Sequence, residues 1–346
     1  MTSQTETKGR SDFLKYSHTI GLCVMEGRGF MFPVDTAITP SGRMHTVSRA
    51  FGPVGSHQLR VTMYDTDSTF YGVYGGFGDE IGKFKWPASI ESDSDGNLYI
   101  SDEQCHKINV YNGEGKPIAR WGDYGSEFGQ MNGPSGIAFD SDDNILVCDQ
   151  LNNRIQKFTK DGEFLDCFGS SSVDSEQLSL PWGITVSSNG ETYIADWGND
   201  RICKYSQDGT FSDSFGSAGS EDGQFIKPAG IAVDNDGFMY VADWGNERVQ
   251  VLDPKGNCID NIRGEATISV WGQEFLDSNY EEAEPRSRSN LEPDISLFDG
   301  DPHTESAHTE KLFWGPTSVK LDENGKLYVT ESNRHRIQIY NKSSNT

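Results

Sequence analysis

The six-residue stretches Asn97–Asp102 (NLYISD), Asn144–Asp149 (NILVCD), Glu191–Asp196 (ETYIAD) and Phe238–Asp243 (FMYVAD) each end on an acid, at a constant step of 47 residues. A fifth copy, KLYVTE, ends at Glu331, one step plus an insertion of 41 beyond Asp243. A degenerate copy, RMHTVS, ends at Ser48, one step plus an insertion of 7 before Asp102. A long motif recurring at a fixed period is the signature of a repeat architecture.

Each unit is built the same way. It opens on Pro, small residues and an apolar pair (PSGIAFD, PWGITV, PAGIAVD) and passes through an Asp/Asn-Gly-type turn. It then alternates apolar and polar residues up to the acid. An NxR-type loop leads to a third strand (RIQKF, RICKY, RVQVL, RIQIY), and a further turn leads to a fourth that ends in Phe-Gly or Trp-Gly. Period-two strands of four to six residues, punctuated by turns, describe an all-β meander. Four strands per unit describe a propeller blade. Six units predict a six-bladed β-propeller of four-stranded blades. The last unit lacks a fourth strand, and the segment 17–32 has the length and alternation to supply it, closing the ring and removing an open edge. Residues 1–16 then form a flexible N-terminal tail, and 17–346 a single propeller.

A base follows each acid by five residues: Lys107, Arg154, Arg201, Arg248 and Arg336, with Arg60 in the first unit once its insertion is allowed for. A carboxylate–guanidinium bond across each hairpin is expected there, broken in the first unit by Ser48. His106 and His335 occupy one repeat slot with Asn153, Asp200 and Glu247, and read as repeat filler.

The chain has 346 residues, 29 basic and 53 acidic, a net charge of −24. That balance argues against a phosphate backbone or an anionic membrane as partner. Glycine, at 38 residues, suits a turn-rich fold. No apolar run is long enough to span a bilayer. The first twelve residues lack the apolar core of a secretory signal, so a cytoplasmic location is expected. The six cysteines show no C-x-x-C spacing and read as buried free thiols.

The blade pattern P-x-G-I-A-V-D…I-Y-V-A-D…N-x-R-I-Q resembles the NHL-repeat family over about residues 33–341, apart from the insertions. The resemblance implies a six-bladed propeller and no single activity. Family members include ubiquitin-ligase partner modules, RNA binders, receptor-like domains and amidating lyases. The lyases place zinc-binding histidines directly after the blade-opening Pro. Here those slots hold Val34, Ala88, Ser135, Trp182, Ala229 and Thr317, and the lyase tyrosine position is Gln104.

Both departures from the period fall on the face that carries the second-to-third-strand loops and the blade-to-blade crossovers, called the upper face here. One is the loop 49–57. The other is an acidic insertion, 264–313, with twelve acids against three bases. Together they predict a lid over a central pocket, one that excision of residues 270–310 would remove from a still-folded ring. Within the insertion, 278–294 reads as disordered on composition.

Asp35 replaces the small residue found at that step elsewhere, and an acid near the axis is costly unless paired or metal-bound. With Arg49 to orient an anionic group and His57 as general base, it makes a candidate catalytic set. Trp182, Trp197 and Trp244 are candidate ligand-binding rings. Asp299, Asp301, His303 and His308 are candidate ligands for a divalent metal, zinc or calcium. The expected function is binding of a small molecule or protein at the upper face. The alternative is a metal-assisted lyase or hydrolase in the same pocket.

Overall fold

The computed structural model describes residues 13–49, 58–173, 175–294, 298 and 300–343. Six four-stranded antiparallel sheets follow one another along the chain. Blade 1 holds Pro33–Ile38, Met44–Ser48, Arg60–Tyr64 and Phe70–Tyr74, and blade 2 runs from Pro87–Ser92 to Pro117–Trp121. Blades 3, 4 and 5 open at Pro134, Pro181 and Pro228. Blade 6 holds Pro316–Leu321, Leu327–Glu331 and Arg336–Lys342, and its outermost strand is Leu14–Ile20. That strand pairs in register from Leu14↔Lys342 to Ile20↔Ile337. Ring closure is as the sequence predicts, but the strand begins inside the segment read as tail, and Gly21–Phe32 forms the crossover into blade 1.

Proline opens each innermost strand because its missing N–H would have no ladder partner there. A register shift follows it in all six blades. Small residues come next because the innermost strands converge. A Cβ on Gly183 would lie 2.5 Å from the Ala229 carbonyl oxygen of the neighbouring blade. The lower turns absorb much of the acidity. Asp93, Asp140, Asp234 and Asp322 each fold back to accept from the amides two and four residues on. An Asp side chain that mimics a backbone turn is locally favoured.

The core is a set of apolar clusters between adjacent blades. In the seam between blades 6 and 1, Ile20, Phe30, Met44, Tyr64, Tyr328, Ile337 and Ile339 surround Trp271. The insertion therefore does more than decorate the ring. It carries three helices: α1 (Val270–Ser278), α2 (Tyr280–Arg288) and α3 (Pro302–His308). Ser269 caps α1 by accepting from the Gly272 amide at 3.0 Å and donates to the Gly21 carbonyl. Trp271 is fully buried, and its indole N–H donates to the Ser68 carbonyl at 2.6 Å. The stretch expected to be disordered holds α2, whose Arg286 grips Glu310 through both guanidinium nitrogens. Opposite charges at that spacing pay back the ordering that composition argues against.

Among the cysteines, all free, Cys148 and Cys203 are buried, Cys23 is exposed and the other three are half-buried. Among the described residues, no helix is long and apolar enough to cross a membrane.

Candidate functional site

The upper face is organised by two repeated devices. In the first, the acid ending the second strand binds the base that opens the third. Arg154–Asp149, Arg201–Asp196, Arg248–Asp243 and Arg336–Glu331 lie 2.7–2.8 Å apart. The remaining guanidinium nitrogens donate to crossover carbonyls, as Arg248 does to Ser220, Glu221 and Gln224. Blades 1 and 2 depart. Ser48 offers no carboxylate, and Arg60 instead donates to the crossover carbonyls of Val24, Met25 and Gly29. Lys107 turns away from Asp102 to the Gly122 carbonyl and Asp123, because a single ammonium cannot serve both sides as a guanidinium does.

In the second device, the slot read as filler is a latch between blades. His106, Asn153, Asp200, Glu247 and His335 all have left-handed backbone, φ 52–55°. Each accepts from the amide before the next blade's proline: Gly133, Leu180, Lys227, Gly315 and Phe32. For the two histidines this requires an unprotonated Nδ1. Burial pushes His335 down to about 4, helped by Arg334. Burial likewise lowers His106.

At the axis, Asp35 is buried and saturated. One carboxylate oxygen accepts from the Thr36 amide (2.8 Å) and Ser318 Oγ (2.5 Å), the other from Ser89 Oγ (2.6 Å) and the Ile90 amide (3.0 Å). Ser89 and Ser318 occupy the same repeat slot as Asp35 in the two flanking blades. Lys320 Nζ lies 3.8 Å from Asp35 and 2.5 Å from Glu91. Burial would lower the lysine, but the two acids hold it above its ordinary value. The sequence reading missed Lys320, although Glu91 and Lys320 stand in a slot that holds Ala37, Ala138, Thr185 and Ala232 elsewhere. Two opposite charges among small residues were the available signal.

Above this trio the mouth is filled. The Arg49 guanidinium, from blade 1, lies 5.6 Å from the Trp182 ring of blade 4 and 4.9 Å from Trp86. It donates to the Pro87 carbonyl (2.7 Å) and Glu103 (2.8 Å). Burial lowers Arg49 and raises Glu103, and each partly reverses the other's shift. The space beneath, lined by Asp35, Trp182 and the small residues, measures about 30 Å³. That holds a water or two and no organic ligand. His57 lies outside the described residues; Asp35 and Arg49 are engaged with separate partners.

Further out, Trp197 carries the Lys227 ammonium 4.8 Å from its ring, and Trp314 carries Arg334 at 5.3 Å. Trp86 and Trp244 are 37% and 41% exposed. The candidate metal ligands are dispersed. Asp301 caps α3, accepting from the Thr304 amide at 3.0 Å. His303 Nδ1 is 2.7 Å from Glu247, and His308 stacks on Phe298. Asp299 lies outside the described residues. Among those described, the one group of three metal-type ligands is Asp93, Asp95 and Asp143 on the lower turns, and Lys160 already pairs with all three. The insertion's described contacts run to blade 5, blade 6 and the blade 6–1 seam. Arg334 donates to the last carbonyls of α3, and Arg263 pairs with Glu305. None of its described hydrogen bonds reaches the residues that line the mouth.

The NHL repeat matches residues 131–158, 178–205, 225–252 and 313–340, which are the blades with intact acid–base clamps. The chain carries four NHL repeats in a six-bladed propeller. Blades 1 and 2, with Ser48 and Lys107 at the clamp, fall outside the matched stretches. No curated protein matches this NHL propeller. Among solved structures it is similar to a protein of unknown function from Bacteroides thetaiotaomicron (TM-score 0.59, 18% identity, 94% of this chain and 75% of that one). It is similar to a gluconolactonase from Xanthomonas campestris (TM-score 0.57, 13%, 91% and 88%). It is also similar to a catalytically inactive virginiamycin B lyase from Staphylococcus aureus with quinupristin (TM-score 0.55, 13%, 96% and 86%). At such identities the likeness carries the fold alone.

Proposed function

We propose that this NHL propeller is a binding module that takes a protein partner on its upper face. One observation carries the reading: the axis is filled by mutually satisfied groups under an Arg49–Trp182 plug, while Trp86 and Trp244 stand exposed on the rim around it. Tryptophan and arginine are the residues most enriched at binding hot spots. A net charge of −24 favours a cationic partner over a polyanion. The lyase or hydrolase reading needs a free acid, base or metal set at the axis. Asp35, Arg49 and Lys320 are each bound to other side chains there, and Asp301, His303 and His308 point to different neighbours.

The test compares wild type with an upper-face variant (W86A/W244A) and a lower-turn control (S94A) as immobilised baits, with bound proteins quantified by mass spectrometry. Partners lost from the upper-face variant and kept by the control support the reading. An identical partner set on all three would overturn it. So would turnover of a lactone or a streptogramin, with added zinc or calcium, that disappears in Asp35→Asn.

A further inference from the structure

The repeat supplies its own template for a cation site. In blade 4 three positions work together. The Lys227 ammonium sits over the Trp197 ring (4.8 Å), donates to the Trp197 carbonyl (3.3 Å) and lies 3.3 Å from Asp200, whose carboxylate also accepts from the Lys227 amide. One repeat later the same frame recurs with the ring and an acid kept and the lysine lost. Trp244 takes the place of Trp197, Glu247 that of Asp200, and Gly315 that of Lys227. The backbone geometry is kept: Glu247 has φ 52°, and its carboxylate accepts from the Gly315 amide at 2.5 Å. The ammonium is what the substitution removes. No described cation lies over the Trp244 ring, which is the more exposed of the two WGN rings.

Glu247 itself is buried, and among the described residues its side-chain hydrogen-bond partner is His303, 2.7 Å away at the start of α3, with the Arg263 charge also acting on it. His303 is well exposed and also packs edge-on against Trp314. In blade 4 an aromatic face and a carboxylate at these two slots together receive an ammonium, and blade 5 keeps a tryptophan and an acid there. We infer that Trp244 and Glu247 form a docking site for one lysine or arginine side chain of a partner, which takes the place that Lys227 fills in the preceding blade. The inference rests on the upper-face binding reading and adds the partner's chemistry: a basic segment that places one cation at the blade 5–6 junction.

The probe is N-acetyl-lysine methylamide, titrated into the full-length, isotope-labelled protein. The readout is the indole N–H resonances of the seven tryptophans, assigned by single Trp→Phe variants. The expected result is a saturable shift of the Trp244 indole, larger than that of any other tryptophan, abolished in Glu247→Gln and absent with N-acetyl-glutamate. In Lys227→Gly the Trp197 indole should join the response. That variant folds readily because Lys227 already has φ 54°. A silent Trp244, or one that shifts no more than the rest, would overturn the site. So would a Trp197 that stays silent in the folded Lys227→Gly protein. If Trp244 is silent while the upper-face variant still loses its partners, this site fails and the binding reading stands.

Discussion

Trp271→Ala tests whether the insertion belongs to the fold. The indole is fully buried between blades 6 and 1, with ring centroids 5.6 Å from Tyr64, 5.7 Å from Phe30 and 6.5 Å from Phe70. Truncating a buried Trp to Ala costs about 3–5 kcal/mol in lost transfer energy and cavity. The Ser68 carbonyl loses its indole donor, adding about 1 kcal/mol. The sum is about 4–6 kcal/mol. In a chain of this length each kcal/mol moves the midpoint by about 2 °C or less, so the melting temperature should fall by about 5–10 °C. Differential scanning calorimetry reads this without relying on tryptophan emission. Trp271→Phe keeps most of the ring and loses the hydrogen bond, so it should lie between. Excising 270–310 should destabilise at least as much as Trp271→Ala. A melting temperature within about 1 °C of wild type for Trp271→Ala would refute the wedge and restore the insertion to the status of an independent flap.

Further tests address the axis, the latch and the weak blade. Asp35→Asn removes one of the two charges facing Lys320 and should cost about 1.5–3 kcal/mol by urea unfolding. His335 should make stability depend on pH. Its folded value is lowered from 6.5 to about 4, so the unfolded chain binds the extra proton in that window. Stability is therefore full above 6.5 and falls as pH drops toward 4. His335→Asn, which copies Asn153, should flatten that slope in urea melts at stepped pH. In blade 2 the buried Asn109 amide has no partner among the described residues on either atom, whereas Gln156 and Gln250 in the same slot reach both their acid and the crossover. Asn109→Gln with Lys107→Arg should stabilise by about 1–2 kcal/mol in calorimetry.

The blades were legible because each repeats its opening proline, acid and base, and even Ser48 marked its place by register. The acid–base ladder could be read where an arginine follows an acid and failed at Lys107, since pairing depends on how many directions a side chain can donate in. Asp35 drew attention as a lone acid. Its satisfaction depends on Ser89 and Ser318 from the flanking blades, positions far apart in sequence that only ring geometry makes adjacent. The mouth plug was hidden for the same reason: Arg49 and Trp182 meet because blades 1 and 4 face each other across the axis. The insertion has no repeat to be read against. Its composition spoke for solvent, and nothing in the pattern sets the residue that decides its role, Trp271, apart from its other aromatics such as Phe275, Tyr280 and Phe298.

The sharing of blade 6 between the two ends of the chain has a consequence for synthesis. Strand Leu14–Ile20 leaves the ribosome long before its partner, Arg336–Lys342, which follows roughly 300 residues later in the chain. At about 5–20 residues per second that wait lasts on the order of tens of seconds. Throughout it, the innermost strand of blade 1 has no neighbouring blade and an apolar seam faces solvent. The nascent chain is thus a row of blades with an adhesive flank, open to pairing with a second nascent copy. The Trp271 wedge emerges before blade 6 does, early enough to cover part of that flank while the ring waits to shut.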